Sequence, residues 1–251
     1  MIDTRKLGTY RLNLIGIGTG NPDHVTAQAA KALNAADLIL IPRKGESKAD
    51  LADLRLQILS QVLTRPIPLA EFDYPTRDAS GDYETGVNDW HDEIARRWHA
   101  AIAPHEPREV ALLVWGDPSL YDSTLRIASR LGAETRVIPG LTSIQVLTAA
   151  HGVTLNEIGR PVIITTGRQL RDGWPEGAET AVVMLDGQCS FQTLDAERFH
   201  IWWGAYVGMK EELLIAGKLF DVGTQIVETR AKARAEHGWI MDIYLLRQVS
   251  K

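Results

Sequence analysis

The chain has little cysteine: among 251 residues only Cys189 carries a thiol. No intrachain disulfide framework is open to it, and the expected compartment is the reducing cytoplasm. Long apolar runs are also missing. The stretch 137–156 has no formal charge, yet Pro139, Gly140, Thr142, Ser143, Gln145 and Gly152 interrupt it, so it reads as a loop and a helix and not as a bilayer span. The amino end, Met-Ile-Asp-Thr-Arg-Lys, lacks the apolar core of a signal peptide. Basic excess is absent as well: the formal charge is −5, which offers no broad attraction to nucleic acid or to an acidic membrane. The seven histidines are scattered without an H-x-x-x-H pair or a Cys/His cluster, so no metal is expected. A phosphate-binding G-x-x-x-x-G-K-[ST] loop and a G-x-S-x-G elbow are likewise missing.

What the chain does have is a succession of apolar strands that end in Gly or Pro. With 45% apolar and 24% charged residues it has the makings of a globular core. "RLNLIGIGTG" reads as a strand, followed by a helix capped by Thr26 with Ala29, Ala30 and Leu33 on one face. "DLILIP" is a second strand. Leu51, Leu54, Ile58 and Val62, and then Val87, Trp90, Ile94 and Ala101, recur at helical spacing. "EVALLVW" (strand), "LYDSTLRIASRLG" (helix), "TRVIPG" (strand) and "TSIQVLTAAHG" (helix) continue the alternation. A mostly parallel sheet wrapped by helices follows from it. Beyond Gly152 strands dominate: "PVIITTG", "TAVVML", "IWWGAYV" and "WIMDIYLLR". Helices are expected only at "MKEELLIA" and over 224–236. The expected organisation is α/β, with two αβα domains over 1–145 and 146–251, the second built on a mixed sheet.

Chemistry-bearing motifs collect where the strands end. The most informative is Trp115-Gly116-Asp117-Pro118-Ser119-Leu120-Tyr121 after "LLVW". In open α/β sheets small molecules bind at such carboxyl ends, and Asp117 brings a carboxylate that needs a partner. "GIGTGN" (Gly16 to Asn21) is not a dinucleotide fingerprint. Asn21 stands where the third glycine belongs, and the second strand ends in Pro42-Arg43-Lys44 with no ribose-binding acid. It is either a tight turn or an anion-binding loop for a carboxylate-bearing substrate around Gly18 and Thr19. "RKGESK" (Arg43 to Lys48) is either a solvated loop or, with Arg168 after "IITTG", a basic patch for an acidic ligand. In "PGLTSI" (Pro139 to Ile144), Thr142 or Ser143 caps the next helix or meets a ligand.

The ordered set "GIGTGNPDHVT", "WGDPSLY", "PGLTSI" and "AVVML" resembles the tetrapyrrole methylase family over essentially the whole chain. The stretch "ADLILIPRKGESKADLADLRLQIL" resembles the deacetylating branch of that family in cobalamin biosynthesis. One departure is plain: the family's first loop often reads G-x-G-P-G-D, whereas this chain has Thr19 and Asn21 there and Asp23 two residues later. The resemblance implies a class III methyltransferase-like fold, a homodimer, a tetrapyrrole substrate and an active site in the cleft between the domains. It implies S-adenosylmethionine as methyl donor, held by Trp115, Gly116, Asp117, Leu120, Thr142, Ser143, Met184, Leu185, Tyr206 and Val207, largely through backbone. Arg43, Lys44 and Arg168 would meet substrate carboxylates. The implied reaction is methylation of precorrin-5 with loss of its acetyl group as acetate. Alternatives are another precorrin or uroporphyrinogen, or a protein or ribosomal RNA substrate. Acetate loss needs a base and an oxyanion donor, for which Asp23, His24 and Tyr121 are the candidates.

Overall fold

The computed structural model describes residues 10–43, 49–76 and 83–249. The chain forms two compact units, Met1–Thr142 and Ser143–Lys251, each around a five-stranded sheet.

The first unit contains β1 (Arg11–Gly16), β2 (Leu38–Arg43), β3 (Leu69–Asp73), β4 (Glu109–Val114) and β5 (Glu134–Ile138), in the order β3-β2-β4-β1-β5. Every neighbouring pair is parallel. Successive side chains of a strand face opposite ways, and both faces are covered. Leu12, Leu14, Leu38 and Leu112 pack with Ile94 and Trp98 of α3 (Tyr83–Ile102) and Ile127 of α4 (Thr124–Ala128). Ile15, Ile39, Ile41 and Leu113 pack with Leu33 of α1 (Ala27–Ala35) and Ile58 and Leu59 of α2 (Ala49–Val62). Burial on two faces makes the inner strands continuously apolar, which is why they are legible in the sequence. Thr26 caps α1 as expected, accepting the Ala29 N–H at 3.0 Å.

Two segments of this unit differ from expectation. β3 was not anticipated: it is an edge strand in which only Ala70 and Phe72 are buried, too short an alternation to stand out. The helix expected over "LYDSTLRIASRLG" shrinks to α4, because Tyr121 sits at φ 49° and the chain turns helical only after Asp122 Oδ1 accepts the Thr124 N–H at 2.6 Å.

The second unit runs α5 (Ser143–His151), β6 (Val162–Thr166), α6 (Gly167–Arg171), β7 (Thr180–Met184), β8 (Phe199–Ala205), β9 (Leu213–Lys218), α7 (Leu219–His237) and β10 (Asp242–Gln248). Its sheet has the order β6-β7-β10-β8-β9 and is mixed: β6 and β7 are parallel, while β10 is antiparallel to β7 and β8, and β9 to β8. The expected helix at "MKEELLIA" is corrected here. Leu213 to Lys218 pair with Ala205 to His200 and alternate half-buried with exposed, so cross-strand packing overrides helical propensity. The core gathers Trp203, Tyr244, Phe191 and Ile226, and Trp202 faces the other way under Arg247, 5.1 Å from its ring centre.

Candidate active site

Three loops of the first unit meet backbone to backbone. They follow β1, β4 and β5, which are adjacent in the sheet. Gly116 donates its N–H to Gly18 O at 2.8 Å, and Gly18 returns one to Gly116 O at 3.4 Å. A Cβ on Gly16 would stand 2.5 Å from Gly140 N, and one on Gly140 would stand 2.2 Å from Gly116 O. No side chain fits at Gly16 or Gly140, so both serve loop-to-loop packing, while Gly116 supplies a backbone at φ 61°. The Gly18 N–H is already engaged, and the loop leads into a 3₁₀ turn (Pro22–His24), with α1 starting only at Ala27.

Asp117 ties the junction together. Its Oδ1 accepts the Ser119 N–H at 2.8 Å and the Ser119 hydroxyl at 2.5 Å, and its Oδ2 accepts the Gly140 N–H at 2.9 Å. Burial alone would raise this carboxyl, but those three bonds outweigh it and hold the group below the ordinary carboxylate range. The partner expected for Asp117 is thus the loop after β5. The carboxylate shapes the loops, and Trp115, Gly116 and Leu120 present their backbone from a turn that it fixes. Leu120, Thr142 and Ser143 are half-buried.

The expected base candidates differ in their surroundings. His24 is half-buried, with Nδ1 3.3 Å from the Thr19 hydroxyl. Asp23 is exposed, and its N–H donates to Asn21 Oδ1. Tyr121 is 45% exposed, and desolvation pushes its phenol up, which suits a proton donor and not a base near neutral pH. Arg43 is not a free cation: Nη2 lies 2.5 Å from Glu71 Oε1 on the unanticipated strand β3. Lys44 lies outside the described residues. Arg168 is exposed in α6 of the second unit.

Sequence reasoning missed Arg55, Tyr74 and Asp122. Arg55 is buried in α2, its guanidinium 5.0 Å from the Trp115 ring centre, and Tyr74 and Asp122 line the same cavity. A signal for Arg55 did exist: it falls three residues before Ile58 and four after Leu51, on the stripe that the apolar spacing assigns to the core.

In the second unit the carboxyl ends of β6, β7 and β8 share one edge of the sheet. Thr166 is paired with Met184, and Ala205 with Asp242 at the start of β10. Two residues just past those ends have left-handed backbone, Leu185 at φ 53° and Tyr206 at φ 51°. Each costs roughly 1–2 kcal/mol for a residue with a Cβ. Leu185 is 67% exposed. Behind it the buried Asp186 accepts from Tyr244 OH (2.6 Å), Ser190 N (2.5 Å), Ser190 Oγ (2.8 Å) and Gln188 N (3.1 Å). A Cβ on Gly167 would stand 2.3 Å from Asp186 Cγ, so α6 rests directly on this carboxylate. Tyr206 is buried, and its hydroxyl donates to Trp239 O at 2.5 Å. Its ring and the buried Val207 are core, which leaves backbone as what this segment can offer a ligand; Met184 is half-buried. Among the described residues no group of acidic, histidine or cysteine side chains could hold a metal, and no helix is long and apolar enough to cross a membrane.

The family model described as Tetrapyrrole (Corrin/Porphyrin) Methylases matches residues 11–223. A protein from Sinorhizobium sp, "Precorrin-6A synthase [deacetylating]", is 47% identical over 251 residues, covering 96% of each chain. A crystal structure of a cobalamin synthesis related protein (CobF) from Corynebacterium diphtheriae superposes with TM-score 0.82 at 40% identity, over 96% of this chain and 100% of that one. The uroporphyrin-III C-methyl transferase of Thermus thermophilus, crystallised with S-adenyl homocysteine, shares the fold at TM-score 0.61 and 19% identity, over 94% of this chain and 92% of that one. With its three glycine-joined loops and its parallel and mixed sheets, this chain belongs to the tetrapyrrole methylase family.

Proposed function

We propose that this enzyme is an S-adenosylmethionine-dependent C-methyltransferase of cobalamin biosynthesis that converts precorrin-5 to precorrin-6A. It methylates C1 and releases the acetyl group as acetate. The observation that carries this reading is the 47% identity, running nearly end to end, to a protein named for that deacetylating reaction. We place it in the cytoplasm as a homodimer, in line with the family resemblance and the single cysteine.

The residues present suit the methyl donor. β2 ends in Pro42-Arg43 with no acid at its end to hold a ribose, whereas the Asp117 turn and the left-handed Leu185 and Tyr206 set main chain at strand ends. Trp115, Gly116, Leu120 and Thr142 in the first unit, and Ser143, Met184, Leu185, Tyr206 and Val207 in the second, are the proposed donor contacts, and Asp117 would act through the loops. The donor supplies an electrophilic methyl on sulfur with a thioether as leaving group. The chain's task is alignment, a positioning effect that reaches about 7–11 kcal/mol in the best cases. No protein nucleophile is required. Thr19, Arg168 and Arg43 are the proposed contacts for the acidic macrocycle, Arg43 after exchanging Glu71 for a substrate carboxylate.

Anaerobic incubation with precorrin-5 and methyl-labelled donor tests the assignment. Label in the product with one acetate released per turnover is the expected result. Methylation without acetate would instead make the enzyme a methylase of a different precorrin.

A further inference from the structure

The first unit holds a cavity that neither the donor loops nor Arg43 accounts for. It measures about 190 Å³ and is lined by Pro42, Ala52, Arg55, Tyr74, Leu112 to Trp115, Asp122 and Thr124. Because β2, β3 and β4 are parallel, Pro42, Tyr74 and Trp115 put it at the same sheet edge as the loops. The volume is more than ten times the roughly 10–15 Å³ of probe space that one water needs. That is room for a two-carbon acyl group with a water beside it, and far too little for a macrocycle.

Its lining is chemically unusual. Arg55 is only 9% exposed, and its Nε–H donates to Leu113 O at 3.5 Å. Burial pushes the guanidinium down to about 10, against the opposing pull of Tyr74 and Asp122, so it stays charged at neutral pH. The Trp115 indole N–H is buried with no acceptor among the described residues. Such a group costs about 1–3 kcal/mol when left unpaired, and Trp115 is one of the residues that line the cavity. Asp122 uses one oxygen on the Thr124 N–H, and its other oxygen has no hydrogen-bond donor among the described residues. Arg55, Trp115 and Asp122 thus line one small space whose remaining walls include the apolar Pro42, Ala52 and Leu112.

We propose that this cavity is where the acetyl carbon–carbon bond is cut: Trp115 Nε1–H and Arg55 receive the carbonyl oxygen, and Asp122 takes a proton from the water that adds to it. The inference rests on the deacetylating reaction proposed above and assigns residues to it. The water oxygen bonds to the carbonyl carbon as its proton passes to Asp122, and the carbonyl π pair moves to the oxygen held by Trp115 and Arg55. On collapse the bond to C1 breaks and its pair stays on the macrocycle. Acetic acid departs as acetate plus a proton, Asp122 returns its proton to solvent, and C1 takes the methyl group. One water is consumed, one acetate and two protons are released, and no oxidant or reductant is needed.

The test uses the full chain with precorrin-5, donor and an assay for released acetate. Asp122→Asn should lower acetate release about 100-fold or more, the range for losing a general base, while calorimetric affinity for S-adenosylhomocysteine stays within threefold. Its residual rate should rise with hydroxide concentration, a response that a merely structural defect would not produce. Trp115→Phe keeps the ring and removes the N–H, and should cost roughly 100-fold, as for one oxyanion donor. Acetate release within threefold of wild type in both variants would overturn the assignment. Wild-type enzyme that methylates without releasing acetate would overturn the functional reading itself and this inference with it.

Discussion

Gly140 lies so close to Gly16 that a Cβ on it would stand 2.8 Å from the Gly16 Cα and 2.7 Å from its carbonyl carbon. The obstructing atoms are backbone, held on both sides by sheet, and have nowhere to yield. Gly140→Ala should therefore cost about 1–3 kcal/mol of stability or more, as overpacking does, and should weaken S-adenosylhomocysteine binding with it. Urea unfolding and calorimetry read the two effects. An unchanged unfolding midpoint would contradict the three-loop packing.

Asp117→Ala leaves the Gly140 and Ser119 N–H groups without their acceptor. The expected outcome is a fall in S-adenosylhomocysteine affinity of roughly tenfold, about 1.4 kcal/mol, because the turn that displays Trp115, Gly116 and Leu120 loses its clip. Asp117→Asn, which keeps one acceptor oxygen, should fall between wild type and alanine. Equal affinity in all three proteins would show that loop geometry does not govern donor binding.

Asp186 predicts a pH dependence. Burial alone would raise this carboxyl, but the bonds from Tyr244, Ser190 and Gln188 prevail and hold it below its ordinary value. A depressed carboxylate contributes stability that is fully present above its unfolded value of about 3.9 and is lost as pH falls through the folded one. Wild type should thus lose unfolding free energy steeply below about pH 4. Asp186→Ala should be less stable at pH 7 by roughly 3 kcal/mol, since it strands several buried donors, and flatter in the acid range. A variant that tracks the wild-type curve in parallel would remove Asp186 from that role.

Leu185→Gly separates backbone from side chain. Glycine takes φ 53° freely, so the variant should be no less stable than wild type and up to about 1 kcal/mol more so. If the exposed leucine side chain packs on the donor, S-adenosylhomocysteine affinity should still drop about three- to tenfold, from the area no longer buried. Unchanged affinity would confine Leu185 to a main-chain contribution.

Much of the architecture could be read in advance where burial is two-sided. β2 and β4 are continuous apolar runs, and β1 is one broken only by the buried Asn13, because helices cover both faces, and each ends where a glycine or proline marks a loop. β3 escaped because an edge strand with two buried side chains leaves too little pattern. β9 escaped because "EELLIA" is good helix sequence until pairing with β8 decides otherwise. At the site, the motif loops were visible but the tasks of their residues were not. Nothing in "GIGTGN" tells that Gly16 answers to Gly140, more than a hundred residues on, or that Asp117 caps a neighbouring loop. Arg43 looked available because its partner Glu71 sits on the strand that was not seen. Arg55 went unremarked, although its place on the apolar stripe of α2 announced its burial.

The position of β10 bears on how the protein is made. This strand lies in the middle of its sheet, with β6 and β7 on one side and β8 and β9 on the other. Emerging from a ribosome, the first unit has all five of its strands long before synthesis ends, whereas the second remains split into two halves until residues 242–248 appear. During that interval Val183, Trp203 and their neighbours present open strand edges, so a nascent chain stalled before Asp242 is the form most exposed to aggregation and most in need of a chaperone.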